Sequence, residues 1–396
     1  MGIEARITGV RLLRLDPYGS NDPVSVWNLI RIDTDQGVWG LGEAYWGTGL
    51  RPVLDDLLTP RLVGENPLDI DRLITMLTTQ WAGTHTQNGL VMAAISGLEI
   101  ALWDLAGKLT GLSTCQLLGG RFRDKVRLYR TCMPPDADDP GACNEWASQM
   151  VETGWTAIKT LDVDSMWQRY DPEFKEPGHQ PLGRSLSAAD LRRAERQMAN
   201  LRDGLGDDVD IAVHCHWALD LPDAIALAER VAPWRPCWLE DPLPVAFAPA
   251  WVRLTQRSPV PICMGENLYG RHEFRPFIEE GGTHIVHIDI PKSGGFLETK
   301  RIADHADLHY LKVAAHNPAS VVGTVASVVV AATIRGFSMI ERAGADLDWW
   351  EDLILHDGPV IDGGHVAVPE GPGLGIELNP DVAQAHLAEG EEWWGE

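Results

Sequence analysis

The sequence predicts an α/β fold, an α+β segment over residues 1–125 followed by a (β/α)8 barrel, and three observations carry that prediction. From about Val126 onward, seven short apolar runs alternate with helical patterns, which implies a parallel sheet. The polar residues at the C-terminal ends of those runs recur at a nearly constant interval. The chain has 396 residues, 44% hydrophobic and without a low-complexity tract, enough for a barrel of about 250 residues and a second unit beside it.

Taken from the N-terminus, "VSVWNLIRIDTDQGVWGLGEAY" reads as two strands around the turn residues Thr34, Asp35, Gln36 and Gly37, a hairpin. Two helical patterns follow. The second, "NGLVMAAISGLEIALWDLAGKL", has small and apolar residues on several faces and predicts a buried helix. The strand candidates of the barrel are "TAIKTL", "IAVHCH", "PCWLED", "VPICMGE", "HIVHID", "LKVAAH" and "GFSMIE"; among the helices between them, "SAADLRRAERQMANLRDGL" is amphipathic. The segment from Asp162 to Ser185, rich in Pro, Asp, Gly and aromatic residues, predicts a long loop and a candidate site element. After Gly373 the tail "LGIELNPDVAQAHLAEGEEWWGE" is expected to begin with a short strand and to end in an acidic terminus.

Composition narrows the partners. A formal charge of −24 argues against nucleic acid and anionic membranes. No apolar run reaches the length of a membrane span, "MGIEARITGV" has no signal-peptide core, and Gly2 lacks the spacing for myristoylation. The six cysteines (Cys115, Cys132, Cys143, Cys215, Cys237 and Cys263) form no CxxC pair and fit reduced thiols. The expectation is a cytoplasmic protein, a homo-oligomer, acting on a small molecule. An anionic substrate would need local positive charge against the overall field, from a bound metal ion or a buried lysine.

The strand-end residues are Lys159, His214 with His216, Glu240, Glu266, Asp289, His316 and Glu341, and from His214 onward the gaps are 26, 26, 23, 27 and 25 residues. A barrel gathers its active site at the C-terminal ends of its strands. A buried charge on an apolar strand costs several kcal/mol unless it is paired or binds a metal. His214 and His216, two residues apart, would face one side of a continued strand. That spacing alone leaves metal ligands, acid–base groups and structural histidines all open.

Several motifs run in order along the chain: "TDQGVWGLGEA"; "ISGLEIALWDLAGKLTGL" with "LLGG"; "WLEDP" on the fourth barrel strand; "GEN" on the fifth; "DIPKSGG" on the sixth; "AHNPAS" on the seventh; and "PEGPGLGIEL" after the last. In this order and at barrel spacing they are specific. The chain resembles the enolase superfamily, its mandelate racemase branch, and within it the acid-sugar dehydratases similar to galactonate dehydratase. The resemblance implies a modified (β/α)8 TIM-type barrel (residues 126–369). An α+β capping domain would be built from residues 1–125 and a C-terminal return, 370–396, with the loops "PYGSND" and "YWGTG" shaping the pocket.

The resemblance also implies roles. Glu240 and Glu266 match metal ligands, with hard oxygen donors that suit Mg²⁺. The third ligand of the family is an aspartate, and His214 stands there instead. An imidazole shifts preference toward Mn²⁺ or another transition metal, so a divalent ion is expected, Mg²⁺ ahead of Mn²⁺. His216 matches the general acid. Asp289 and His316 match a dyad in which the carboxylate orients the imidazole as general base. Lys159 matches a lysine that contacts the substrate carboxylate, and Glu341 a residue that hydrogen-bonds the carboxylate or enolate. The second lysine of that K-x-K motif is Leu161 here, which counts against a racemase. The expected reaction removes the proton α to the carboxylate of a sugar acid and eliminates the β-hydroxyl, giving a 2-keto-3-deoxy acid. An epimerase or cycloisomerase of the same fold, or a non-catalytic sugar-acid-binding relative, stands as the alternative.

Overall fold

The computed structural model describes residues 4–20, 25–79, 88–163, 185–344 and 346–395. Three antiparallel strands, β1 (Ile7–Leu15), β2 (Trp27–Thr34) and β3 (Trp39–Ala44), form the N-terminal sheet. The hairpin expected at Thr34–Gly37 is present: the Gly37 N–H donates to the Thr34 carbonyl (3.2 Å), and the Thr34 hydroxyl donates to the Val38 carbonyl (2.6 Å). The helix Gly89–Thr110 packs on β2 and β3, buried along most of its length, as its apolar residues on several faces require. It is the one helix among the described residues long and apolar enough to cross a membrane, and 78% of that window is buried inside the fold.

Eight parallel strands follow: β4 (Lys125–Thr131), β5 (Ala157–Asp162), β6 (Asp210–His214), β7 (Trp238–Glu240), β8 (Ile262–Met264), β9 (Ile285–Asp289), β10 (Lys312–His316) and β11 (Phe337–Arg342). Each pairs with the next, and β11 pairs back with β4 through Ile340–Leu128, Glu341–Tyr129 and Arg342–Arg130, which closes the barrel. Alternation along the strands divides their residues into two sets. Ile158, Ile211, Val213, Leu239, Ile262, Val286, Ile288, Val313 and Ile340 belong to the main core shared with the surrounding helices. The other parity fills the barrel. Arg127 and Asp210 pair at 2.7 Å at the N-terminal ends. Tyr129, Ala157, Ala212, Trp238, Cys263, Ile285, Ala314 and Met339 form a separate inner cluster above them, and the strand-end polar residues lie above that.

The tail departs from expectation in one respect. It begins with no strand: Gly373 and Leu378 make only isolated bridges, to Ser113 and Ile354, before the helix Pro380–Ala385. The apolar alternation of "LGIEL" is thus used for burial without a ladder partner. The chain then returns to β1, where Leu387 bridges Leu15 and the Arg14 side chain pairs with Glu391 at 2.8 Å.

Three buried carboxylates tie the N-terminal unit to its surroundings. Glu43 of β3 accepts the N–H groups of Ser320 (2.9 Å) and Gly323 (2.8 Å) and the Ser320 hydroxyl. Glu99 accepts the N–H groups of Phe296 (2.7 Å) and Leu297 (3.0 Å) and the indole N–H of Trp103 (2.7 Å). Asp104 accepts the N–H groups of Leu41 (2.7 Å) and Leu374 (2.8 Å) and pairs with Lys108 at 2.6 Å.

Burial pushes both Glu43 and Glu99 up from 4.5 to about 7, against the hydrogen bonds they accept. Both therefore hold a proton more tightly when folded than when unfolded. Folding takes up protons between pH 4.5 and about 7, and the stability the pair contributes falls as pH rises through that window, on the order of a few kcal/mol. Melting temperatures measured from pH 5 to 8 are expected to decline less steeply in Glu43→Gln/Glu99→Gln than in the wild type. An unchanged slope in the double variant would locate the proton uptake in other groups.

Candidate active site

The strand-end polar residues converge at the C-terminal mouth of the barrel. β5 brings in Lys159, β6 His214, β7 Glu240, β9 Asp289, β10 His316 and β11 Glu341, all of the inward parity. Two of the expected residues lie beyond the strands that were to carry them. β6 ends at His214, and His216 sits in a left-handed turn (φ 51°) with Trp217 (φ 57°). Strand alternation is therefore not what joins the two histidines. The turn does so instead, and their ring centroids are 4.1 Å apart. β8 ends at Met264, and Glu266 is two residues further on.

The dyad is formed. His316 Nδ1 and Asp289 Oδ2 are 2.6 Å apart, and His316 Nε2 lies 3.7 Å from both Glu266 Oε2 and Glu341 Oε2. Burial would lower His316, but the carboxylates of Glu266 and Glu341 and the bond to Asp289 outweigh it and carry it up to about 9. Positive charge placed on Glu266 acts in the opposite direction, toward the neutral imidazole that a base requires. From the N-terminal sheet, Tyr45 of "YWGTG" is bonded through its N–H to the Pro291 carbonyl (3.0 Å), and its ring centroid lies 6.3 Å from that of His316. The other two predicted loop elements fall on or across segments outside the described residues: 164–184 of the Asp162–Ser185 segment, and 21–24, which include the end of "PYGSND".

Lys159 is buried between two carboxylates. It pairs with Glu240 and, at 2.7 Å, with Glu341. Burial alone would lower the lysine, but Glu240 and Glu341 hold it well above the ordinary value, so its ammonium stays charged. Lys159 in turn holds both carboxylates down against the effect of their burial: Glu240 well below the usual range, and Glu341 to about 2. Glu341 also accepts the hydroxyls of Thr131 and Tyr129, the latter at 3.3 Å.

The donor set fits a cation. Glu240, Asp241 and Glu266 crowd together, and Asp241 is pushed well above its ordinary value by burial, then by Glu266 and Glu240. Glu266 Oε2 and Asp241 Oδ2 are buried without a hydrogen-bond partner, as is His287 Nδ1. Among the described residues one group of three offers ligand atoms within 4.8 Å of one another, and it consists of Glu240, Glu266 and His287. His214 is not in that group; its Nδ1 lies 3.1 Å from Glu240 Oε1.

His287 is the residue that sequence reasoning missed. It is buried on β9, two residues before Asp289 and on the same side, and its Nε2 lies 2.9 Å from the Tyr129 hydroxyl and 4.0 Å from Glu240 Oε2. The signal that could have found it is the i, i+2 spacing already applied to His214 and His216.

Comparison with known proteins agrees with this architecture. Residues 24–119 match the family model for the mandelate racemase/muconate lactonizing enzyme N-terminal domain, and residues 142–382 the model described as enolase C-terminal domain-like. A D-xylonate dehydratase of Haloferax volcanii is 40% identical over 397 residues, covering 99% of this chain and 92% of the relative. A D-galactonate dehydratase of Ralstonia pickettii is 28% identical over 398 residues, covering 98% of this chain and 96% of the relative. Among solved structures, a mandelate racemase/muconate lactonizing enzyme-like protein from Rubrobacter xylanophilus superimposes with a TM-score of 0.87 at 34% identity. The match covers 98% of this chain and 99% of that one.

Proposed function

Because this chain belongs to the mandelate racemase/muconate lactonizing enzyme family of the enolase superfamily, we propose that it is a metal-dependent sugar-acid dehydratase. It would convert an aldonate such as D-xylonate to a 2-keto-3-deoxy acid. The observation that supports this reading most is the placement of two imidazoles, which we assign as one base and one acid. The Asp289–His316 dyad ends β9 and β10, while His216 follows β6, four strands from β10 in a ring of eight. The two imidazoles therefore flank the barrel mouth from opposite sides, the layout for an anti elimination. Leu161, where a second base would be needed for racemisation, is buried and apolar.

The order of events follows from what each group can hold. The substrate carboxylate approaches the charged ammonium of Lys159. His316, oriented through Nδ1 by Asp289, receives the α-proton on Nε2. His216 delivers a proton to the departing β-hydroxyl, and the resulting enol tautomerises to the keto acid. Glu240, Glu266 and an imidazole would hold a divalent ion, which when bound would supply Lewis-acid stabilisation of the charge that develops on the carboxylate.

The test is incubation of the purified protein with Mg²⁺ or Mn²⁺ and D-xylonate, D-galactonate and other aldonates, with semicarbazide-reactive product as readout. Turnover of at least one is expected; a metal-loaded protein that dehydrates none would overturn the reading. On a turned-over acid, His216→Asn is expected to retain exchange of the α-hydrogen with solvent deuterium yet lose dehydration by ~10²–10⁴-fold. Loss of both together would remove His216 from the role of acid.

A further inference from the structure

Two of the buried carboxylates of the N-terminal unit end on the same part of the barrel. β9, which ends in Asp289, leads through the short helix Ile290–Ser293 into the helix Gly295–Leu308, and Glu99 accepts two N–H groups of the longer helix's first turn, those of Phe296 and Leu297. β10, which ends in His316, leads into the helix Val321–Ala332, and Glu43 accepts the N–H groups of its N-cap, Ser320, and of Gly323 in its first turn. Both helices start where backbone N–H groups have no partner within the helix and where the helix dipole favours negative charge. In both, a glycine makes the approach feasible: a Cβ on Gly295 would lie 2.2 Å from Glu99 Oε2, and one on Gly323 would lie 2.9 Å from Glu43 Oε2. Ser96 adds a third link on the Asp289 side, its hydroxyl accepting the Gly294 N–H at 2.8 Å.

We propose that Glu43 and Glu99 are positioning residues that couple the seating of the N-terminal unit to the geometry of the catalytic dyad. Each carboxylate fixes the start of a helix only a few residues beyond one dyad member, Asp289 on one side and His316 on the other. The 2.6 Å contact between those two side chains then depends on both clamps being closed. Asp104 supplies the contrast. It is equally buried and accepts two N–H groups, but those of Leu41 and Leu374, neither of which belongs to a helix that follows a dyad strand.

The proposal rests on Asp289 and His316 being the base, so His316→Asn is measured first with D-xylonate. Glu43→Gln and Glu99→Gln keep the shape of the side chain but turn one acceptor into a donor facing an N–H group. Each is expected to lower kcat about 10- to 100-fold, since small misplacements of reacting groups cost that much. KM and the affinity for Mn²⁺, read by titration calorimetry, should stay within about twofold. Asp104→Asn should lower the melting temperature comparably while leaving kcat near the wild-type value. If the glutamine variants keep kcat, or Asp104→Asn loses as much, the carboxylates only hold the units together and the proposal fails. That outcome, alongside an inactive His316→Asn, overturns the clamp alone and not the dyad. Hydrogen exchange of the unsubstituted protein gives an independent reading that needs neither variants nor substrate. The amides of Phe296, Leu297, Ser320 and Gly323 should exchange as slowly as helix interiors, and fast exchange there would overturn the clamp.

Discussion

Replacing His316 by asparagine is expected to abolish turnover of the sugar acid and, with it, exchange of the substrate α-hydrogen for solvent deuterium. The loss should be at least ~10²–10⁴-fold, the usual contribution of a positioned proton acceptor. Asparagine is chosen because its amide N–H can still donate to Asp289, which is fully buried and would otherwise lose the partner that stands 2.6 Å away. The fold should therefore survive, and circular dichroism and the melting temperature check that it has. What disappears is Nε2, the only ring nitrogen not occupied by Asp289, facing the mouth between Glu266 and Glu341 at 3.7 Å from each. Exchange that persists in this variant would put the base elsewhere in the chain and would remove the mechanism proposed above.

The barrel was legible in the sequence because its repeat and its polar strand ends coincide: a charge that must be buried needs a partner, and a barrel mouth provides one. Where sequence reasoning overreached, it did so by extending strands. The alternation of "IAVHCH" continues past the point where the ladder stops, and His216 reaches His214 through a left-handed turn that no periodicity encodes. Glu266 likewise follows β8 rather than ending it. His287 escaped notice because the strand-end rule stops at Asp289, although the alternation of "HIVHID" puts both on one side. Glu43 and Glu99 were overlooked inside runs that read as a hairpin strand and a buried helix. The lone carboxylate in "GLGEAY" and the two in "ISGLEIALWD" were themselves the signal, since a buried charge has to be satisfied by something distant in sequence. No local pattern specifies that the partners are helix starts some 200 to 280 residues away.

The second large effect concerns the metal. Purified protein is expected to bind about one divalent ion per chain, and Glu240→Gln and Glu266→Gln should each lose it, because hard carboxylate oxygens dominate the set. Elemental analysis checks this, and unchanged metal content in both variants would dismiss the site. The third position is contested between two imidazoles. His214 stands where the family carries an aspartate, yet its Nδ1 is 3.1 Å from Glu240, whereas His287 completes the group of three with Glu240 and Glu266 while its Nε2 contacts the Tyr129 hydroxyl. His214→Ala and His287→Ala separate them. The variant that removes a direct ligand should weaken Mn²⁺ binding by more than about 100-fold, beyond the 10- to 100-fold typical of groups that only support ligands. His214→Asp adds the decisive contrast. If His214 is the ligand, the aspartate restores a third carboxylate and shifts preference from Mn²⁺ toward Mg²⁺. If His287 is the ligand, that substitution leaves the preference between the two ions where it was, and the centre is held from β9 instead of β6.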